Sequence, residues 1–276
     1  MSFVTRFAPS PTGWLHRGHA FSALTAWRAA RSAGGRFLLR IEDIDATRCR
    51  PEYEAAIFED LAWLGIEWET PVRRQSDHLA DYRADLDALA ARGLIYRCFR
   101  TRKEVAEEIG RAPHGPMEAF RGAPLSADEE AARLAAGAPY AWRLSLDAAD
   151  RELGGFGQLS FHDEDRGTVA ARPALGGDVV LARKDVGVAY HLAVVHDDAL
   201  QGVTHVIRGE DLFEATHVQR LLQALLGLPV PAYRHHRLLA GADGRRYAKR
   251  DRAETLRELR AAGVTPDELF REMGFE

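Results

Sequence analysis

Two histidines, His16 and His19, stand three positions apart in the stretch RFAPSPTGWLHRGHA, with Gly13 and Gly18 close by, directly after a short apolar segment. Imidazole N–H groups at the start of a helix donate to phosphate oxygens as charge builds on them in a transition state, and need no permanent positive charge to do so. The glycines let backbone approach a phosphate or a planar base, and the turn feeds a helix N-terminus whose N–H groups favour anions. The chemistry suited to this spacing is reaction at the phosphates of a nucleotide, while an isolated H-x-x-H also fits two helix-capping or surface histidines. A second phosphate-seeking feature lies far along the chain. Between Arg234 and Arg260 the cations Arg234, Arg237, Arg245, Arg246, Lys249, Arg250, Arg252, Arg257 and Arg260 outnumber the acids Asp243, Asp251, Glu254 and Glu258. The same cluster also fits a solvated helix face laced with ion pairs four residues apart.

The elements that must position these residues read as an alternation. SFVTRFA is a strand, Gly18 to Ser32 a helix with Ala20, Leu24 and Trp27 on one face, and GGRFLLRIE a second strand. PEYEAAIFEDLAWLGI reads as a helix from its proline start, HLADYRADLDALAARG as a helix with a glycine stop, and LIYRCF as a further strand. Such alternation predicts a parallel, doubly wound α/β sheet that binds its ligand outside the carboxyl ends of the strands, which is where the opening motif lies. From about residue 101 to 165 the pattern breaks into a charged, Gly- and Pro-bearing region, read as an inserted subdomain. DVVLARKDVGVAYHLAVVHDDALQGVTHVIRGED then restores apolar strands and a helix. The expected division is 1–100 for the first half of the catalytic sheet, 101–165 for the insertion, 166–232 for the second half and 233–276 for a tail. No G-x-G-x-x-G follows the first strand and no G-x-x-x-x-G-K-[ST] occurs, which weighs against dinucleotide and P-loop folds.

Composition narrows the class further. With 276 residues, 46% hydrophobic and 28% charged, the chain has the make-up of a soluble globular protein, and no apolar run approaches the ~20 residues of a membrane span. MSFVTRF lacks the features of a secretory signal, and Cys49 and Cys98 are the only cysteines, so no disulfide framework follows and a cytoplasmic location is expected. The net charge of −4 does not advertise a nucleic-acid partner, although a global sum says little about local patches.

RFAPSPTGWLHRGHA closely resembles the HIGH-type signature of class I glutamyl-tRNA synthetases, with His16, Gly18 and His19 in the motif's constant places. LLRIEDIDATR, AYHLAVVHDDALQGVTHVIRGEDL and GRRYAKRD resemble further segments of that family in the same order, so the resemblance covers nearly the whole chain. It implies a class I synthetase-type Rossmann-like parallel sheet, split by an α+β insertion and followed by a short helical C-terminal unit. It also implies activation of L-glutamate by ATP, accompanied by Mg2+. On this resemblance His16, His19 and Lys249 are the catalytic residues. ATP falls to Pro9, Thr12, Gly13, His16, Gly18, His19, Arg246, Lys249 and Arg250, and glutamate to Arg6, Phe7, Ala8, Pro9, Ser10, Glu42, Tyr190 and Arg208. Arg6 and Arg208 suit the two carboxylates, in either order. Glu42 suits the α-ammonium, and Ser10 and the Tyr190 hydroxyl fix orientation. The family's KMSKS-type loop corresponds to RYAKR, with Arg246 for the first lysine and Ala248 for the serine.

Two departures bear on which branch of the family is resembled. The sequence ends at Glu276, shortly after this loop, where bacterial glutamyl-tRNA synthetases continue into a helical anticodon-binding part. Val194, in YHLAV, stands where their pattern has asparagine. Both features resemble the glutamyl-Q tRNA(Asp) synthetases, a truncated branch without the anticodon-binding domain that attaches activated glutamate to queuosine in the anticodon of tRNA(Asp). The implied partners are L-glutamate, ATP and queuosine-bearing tRNA(Asp), with no membrane, and a monomer is expected. Two other readings stand beside this one. The first is a truncated glutamyl-tRNA synthetase charging tRNA(Glu) with a separate anticodon-binding partner. The second is a noncatalytic tRNA-binding paralogue, disfavoured because His16, His19 and Lys249 all persist. The branch commonly carries zinc in the insertion, through a C-x-C pair and a later tyrosine and cysteine. Here Arg100 follows Cys98 in place of the second cysteine and no later cysteine exists, so Cys98 with His114 makes too few ligands and structural zinc is not expected. Nothing in this chemistry requires Cys49.

Overall fold

The first strand, β1 (Val4–Phe7), is buried along its whole length. This computed structural model describes residues 2–101, 103–106, 119–183, 187–239 and 254–275. After β1 the elements run α1 (Arg17–Ser32), β2 (Arg36–Ile41), α2 (Pro51–Trp63), β3 (Glu69–Arg74), α3 (Leu79–Ala91) and β4 (Ile95–Cys98). Next come α4 (Ala127–Ala135), β5 (Ala141–Leu144), α5 (Leu146–Leu153), β6 (Ser160–Asp163), β7 (Gly167–Ala170), β8 (Val180–Arg183) and β9 (Gly187–Val188). The chain closes with α6 (Tyr190–Leu200), β10 (His205–Gly209), α7 (Phe213–Leu226), β11 (Ala232–His236), α8 (Leu256–Ala261) and α9 (Pro266–Met273).

Strands β1, β2 and β3 form a parallel sheet in that order. Strand β2 shows why helices cover both faces. Phe37, Leu39 and Ile41 join one core with α1, α2, α8 and α9, while Leu38, on the opposite face, joins another with α3, α6 and α7. Helix α1 lies close on the sheet because its inner face is small, with Ala20, Ala23, Ala26 and Ala30 buried beside Leu24. Trp27, expected on that face, packs only partly against the core. Helix α2 opens on Pro51, with Glu52 and Glu54 in its first turn, a start favoured by the fixed proline φ and the helix dipole.

A second sheet has the order β10-β11-β6-β7, with β10, β11 and β6 parallel and β7 antiparallel. The two sheets meet side by side at β1. The Thr204 N–H donates to the Val4 carbonyl at 2.9 Å, and the Val4 N–H to Thr204 Oγ1 at 2.8 Å. Joined at that end, β1 and β10 leave a crevice at their carboxyl ends, where the direction of strand succession reverses.

The third sheet is antiparallel, in the order β4-β5-β8-β9. Strands therefore distribute among sheets differently from their order along the chain. β4 and β8 read in sequence as strands of the catalytic sheet, yet they pair with the inserted β5. β6, inside the region read as the insertion, pairs with β11 through Tyr233 and Asp163, and β11 itself runs past the boundary read at 232. Apolar periodicity identifies a strand but carries no information about its partner, which tertiary pairing decides. Among the described residues no helix is long and apolar enough to cross a membrane.

Candidate active site

The carboxyl ends of β1, β2, β10 and β11 open onto a cavity of about 890 Å³. Arg6, Phe7, Ala8, Pro9, Ser10, Thr12, His16, Gly18, His19, Glu42, Tyr190 and Arg208, all named from the sequence, line it together. Gly13 sits in the bend at Pro11–Gly13 and is not among the lining residues. Arg246, Lys249 and Arg250 lie outside the described residues. The chain on either side of them stands at this cavity. Leu239 lines it, while Thr255 makes an isolated antiparallel bridge with His16 and the Leu256 N–H donates to the Leu15 carbonyl at 2.8 Å.

His16 and His19 build the start of α1. His16 is the N-cap, its Nδ1 accepting the Gly18 N–H at 3.1 Å, and His19 Nδ1 accepts the His16 N–H at 3.1 Å. This is a capping box made of imidazoles. Because both Nδ1 atoms accept, the ring proton of each sits on Nε2. The rings lie 3.8 Å apart, centroid to centroid. Gly18 allows this arrangement, since a Cβ there would meet His16 Cε1 at 3.0 Å.

Across the cavity, the two arginines differ in their electrostatic surroundings. Arg6 is gripped by Asp198 through Nε at 2.9 Å and Nη2 at 3.2 Å. Arg40, fully buried, bonds the same carboxylate at 2.9 Å and Glu42 at 3.1 Å. Arg73 closes the group, bonding Asp197 at 2.7 Å. Burial would raise Asp198, but Arg6 and Arg40 outweigh it and hold the carboxyl below the ordinary carboxylate range. Burial does raise Glu42, against the pull of Arg40 and Arg6. Arg208 has no such carboxylate among the described residues. Its partners among the described residues are neutral: Thr216 at 2.7 Å, Gln219 at 2.8 Å, His235 at 3.2 Å and the Tyr190 hydroxyl at 3.4 Å. At 5% exposure, Arg208 is a buried cation held by neutral groups.

Sequence reasoning missed Arg40, Asp197, Asp198 and His235, which hold the site from behind. A signal existed for the acids, because adjacent aspartates on a largely apolar helix, YHLAVVHDDAL, are costly to bury without partners.

A family model described as tRNA synthetases class I (E and Q), catalytic domain, matches residues 2–274. The chain belongs to this family. It is 49% identical over 286 residues to a glutamyl-Q tRNA(Asp) synthetase of Rhodobacter capsulatus, covering 98% of this chain and 99% of that protein. A protein of the same description from Nocardia farcinica is 45% identical, over 96% of this chain and 81% of the relative. Among solved structures, a glutamate tRNA ligase from Elizabethkingia meningosepticum in complex with its amino acid superposes with a TM-score of 0.76 at 28% identity. That match covers 91% of this chain and 52% of the ligase, so the chain spans about half of the solved protein's length.

Other features of this class I synthetase place its remaining candidate residues. Val194, 2% exposed, belongs to the apolar core and is not among the residues lining the cavity. Cys98 is buried on β4 beside Tyr96 and Phe120, the Arg100 guanidinium lies 5.8 Å from the Phe120 ring centre, and His114 lies outside the described residues. Cys49 borders a smaller cavity of about 160 Å³ that shares Ser10, Thr12, Glu42, Arg48 and Tyr190 with the large one. Burial, with Asp43 and Asp45, raises its thiol. In the basic tail, Arg234 faces Asp165 at 3.5 Å and Arg260 faces Glu59 at 3.1 Å, while Arg237 lines the cavity.

Proposed function

We propose that the chain activates L-glutamate with ATP and transfers it to queuosine in the anticodon of tRNA(Asp). The observation that carries the glutamate reading is Arg208, a buried cation without a carboxylate partner among the described residues, in the cavity that also holds Arg6, Glu42 and the His16–His19 pair. A substrate with two carboxylates and one ammonium complements that set. Arg6 and Arg208 take the carboxylates, and Glu42 takes the ammonium, a further cation that draws its raised carboxyl back toward the ionised form. Similarity over nearly the full length to the Rhodobacter capsulatus protein supports queuosine as the acceptor.

In the first step an oxygen of the α-carboxylate attacks the α-phosphorus of ATP, the bond to the β-phosphate oxygen breaks, and pyrophosphate leaves. The Nε2–H groups of His16 and His19 donate to phosphate oxygens as their charge grows, and Lys249 neutralises the leaving group. In the second step a queuosine hydroxyl attacks the acyl carbon, the bond to the AMP oxygen breaks, and the hydroxyl proton departs with the phosphate or solvent. Mg2+ is proposed to enter as counter-ion of the ATP phosphates, whose charge it neutralises.

Labelled glutamate supplied with tRNA(Asp), prepared with or without queuosine and then digested by nuclease, tests the acceptor. Label on the modified nucleotide is expected only when queuosine is present. Label on the 3′ terminal adenosine, or preferential charging of tRNA(Glu), overturns the assignment.

A further inference from the structure

Arg208 is steered by two residues that do not line the cavity. Its Nε–H donates to His235 Nε2 at 3.2 Å, and Thr216 Oγ1 stands 3.1 Å from the same nitrogen. An arginine N–H only donates, so this nitrogen accepts and the imidazole proton sits on Nδ1. Nδ1 lies 2.6 Å from Asp163 Oδ2. The other oxygen of Asp163 takes the backbone N–H groups of Asp165 and Arg166, both at 3.1 Å, which locks the carboxylate to the turn between β6 and β7. Both side chains are fully buried. Burial, opposed by the Asp163 hydrogen bond and helped by Arg208, pushes His235 down to about 4, so the ring is neutral at physiological pH. Phe213 stands edge-on to it at 5.1 Å and Tyr233 stacks at 5.9 Å.

We infer that His235 and Asp163 are positioning residues that fix the Arg208 guanidinium for a substrate carboxylate while leaving its charge unanswered. The inference rests on the proposal that Arg208 binds glutamate. Arg6 provides the contrast, because Asp198 contacts it directly and offsets its charge. A carboxylate set against Arg208 in that way would compete with the substrate. A neutral imidazole between Asp163 and Arg208 transmits direction and keeps the negative charge one ring away. Nε is bound to His235, Nη2 to Thr216 and Gln219, and Nη1 to Tyr190, so the guanidinium plane is fixed and the Nη1 edge beside Tyr190 remains for a ligand. On this inference Arg208 takes the side-chain carboxylate and Arg6 the α-carboxylate. With that assignment an undiminished charge in a fixed plane favours a carboxylate over the isosteric carboxamide, and the relay is a determinant of glutamate over glutamine.

The test is pyrophosphate exchange with the full chain, measuring KM for glutamate, KM for ATP and kcat, with glutamine as competitor. His235→Phe removes both contacts at similar size. It is expected to raise KM for glutamate by about tenfold to a hundredfold, the range for a buried hydrogen bond to a charged group, with KM for ATP unchanged and glutamine discrimination reduced. His235→Gln, which keeps a neutral acceptor, is expected to recover most of the loss. Asp163→Asn should raise KM for glutamate by a smaller factor. If His235→Phe does not fold, as judged by circular dichroism, unchanged glutamate KM in Asp163→Asn overturns the inference alone. Arg208→Lys separates the two levels. A raised glutamate KM in Arg208→Lys with none in folded His235→Phe removes the relay only, whereas no effect in Arg208→Lys removes the reading of Arg208 on which it rests.

Discussion

The backbone N–H of His16 is capped by the ring of His19, Nδ1 at 3.1 Å, while the ring of His16 caps Gly18. Each ring thus spends its Nδ1 on the helix start. His19→Asn retains a side-chain oxygen that can accept the His16 N–H but loses the Nε2 donor. Its melting temperature is expected to stay near that of the parent, while pyrophosphate exchange falls by about a hundredfold, the scale of one lost transition-state donor. A large drop in melting temperature, with exchange reduced only in proportion to unfolding, would assign His19 to the cap alone.

Asp198 answers two buried cations at once, Arg6 and Arg40. Asp198→Asn leaves both without that charge and is expected to lower stability by about 3–5 kcal/mol, as breaking a buried ion pair does. Urea unfolding monitored by circular dichroism gives the value, and a loss under about 1 kcal/mol would mean that the arginines find other partners.

Lys249 is expected to act on the leaving pyrophosphate. Lys249→Ala should lower the exchange rate by about a hundredfold, near 3 kcal/mol, and change KM for glutamate little, because its interaction strengthens only in the transition state. Undiminished exchange removes Lys249 from this role.

Asp60, on α2, is pushed up to about 6 by burial, with Arg260 pulling the other way. A folded-state value above that of the unfolded chain means the fold holds the proton more tightly, so stability falls as pH rises from about 4 through 6. Asp60→Asn removes that loss. It is expected to raise stability by about 1–3 kcal/mol at pH 7.5 and to leave it nearly unchanged at pH 4, compared by denaturant midpoints.

Elemental analysis of the purified chain is expected to find no stoichiometric zinc, since Cys98 has Arg100 where a second thiolate would be needed. One tightly bound zinc per chain would show that other donors complete the set.

The strand–turn–helix from Arg6 to Ser32 was legible because local signals agree there. An apolar strand, a glycine-bearing turn and a 3.6-residue period all point the same way, and the binding and catalytic residues named along it, Gly13 apart, meet at one cavity. Glu42, Tyr190 and Arg208 came only through family resemblance, as nothing local distinguishes them from salt-bridge or surface residues. The partners of Asp198, as distinct from its costly place on an apolar helix, and the role of His235 were invisible for a different reason. These exist only after β1, β2, α6, β10 and β11 are packed, and a buried acid beside a buried base leaves no period in a sequence. The sheet membership of β4, β6 and β8 was hidden likewise, since short strands differ in their neighbours rather than in their composition.

The seam between Val4 and Thr204 also sets an order of events during synthesis. Arg6 and Asp198 are 192 positions apart, so on a ribosome adding 5–20 residues per second the arginines of the first sheet wait about 10–40 s for their carboxylate. Until then the nascent half-sheet holds cations facing a core it cannot close, and it is expected to stay open and protease-sensitive. A chain truncated after β4 should therefore behave as an unfolded fragment, and the cavity should appear in a single late event when α6 and β10 arrive.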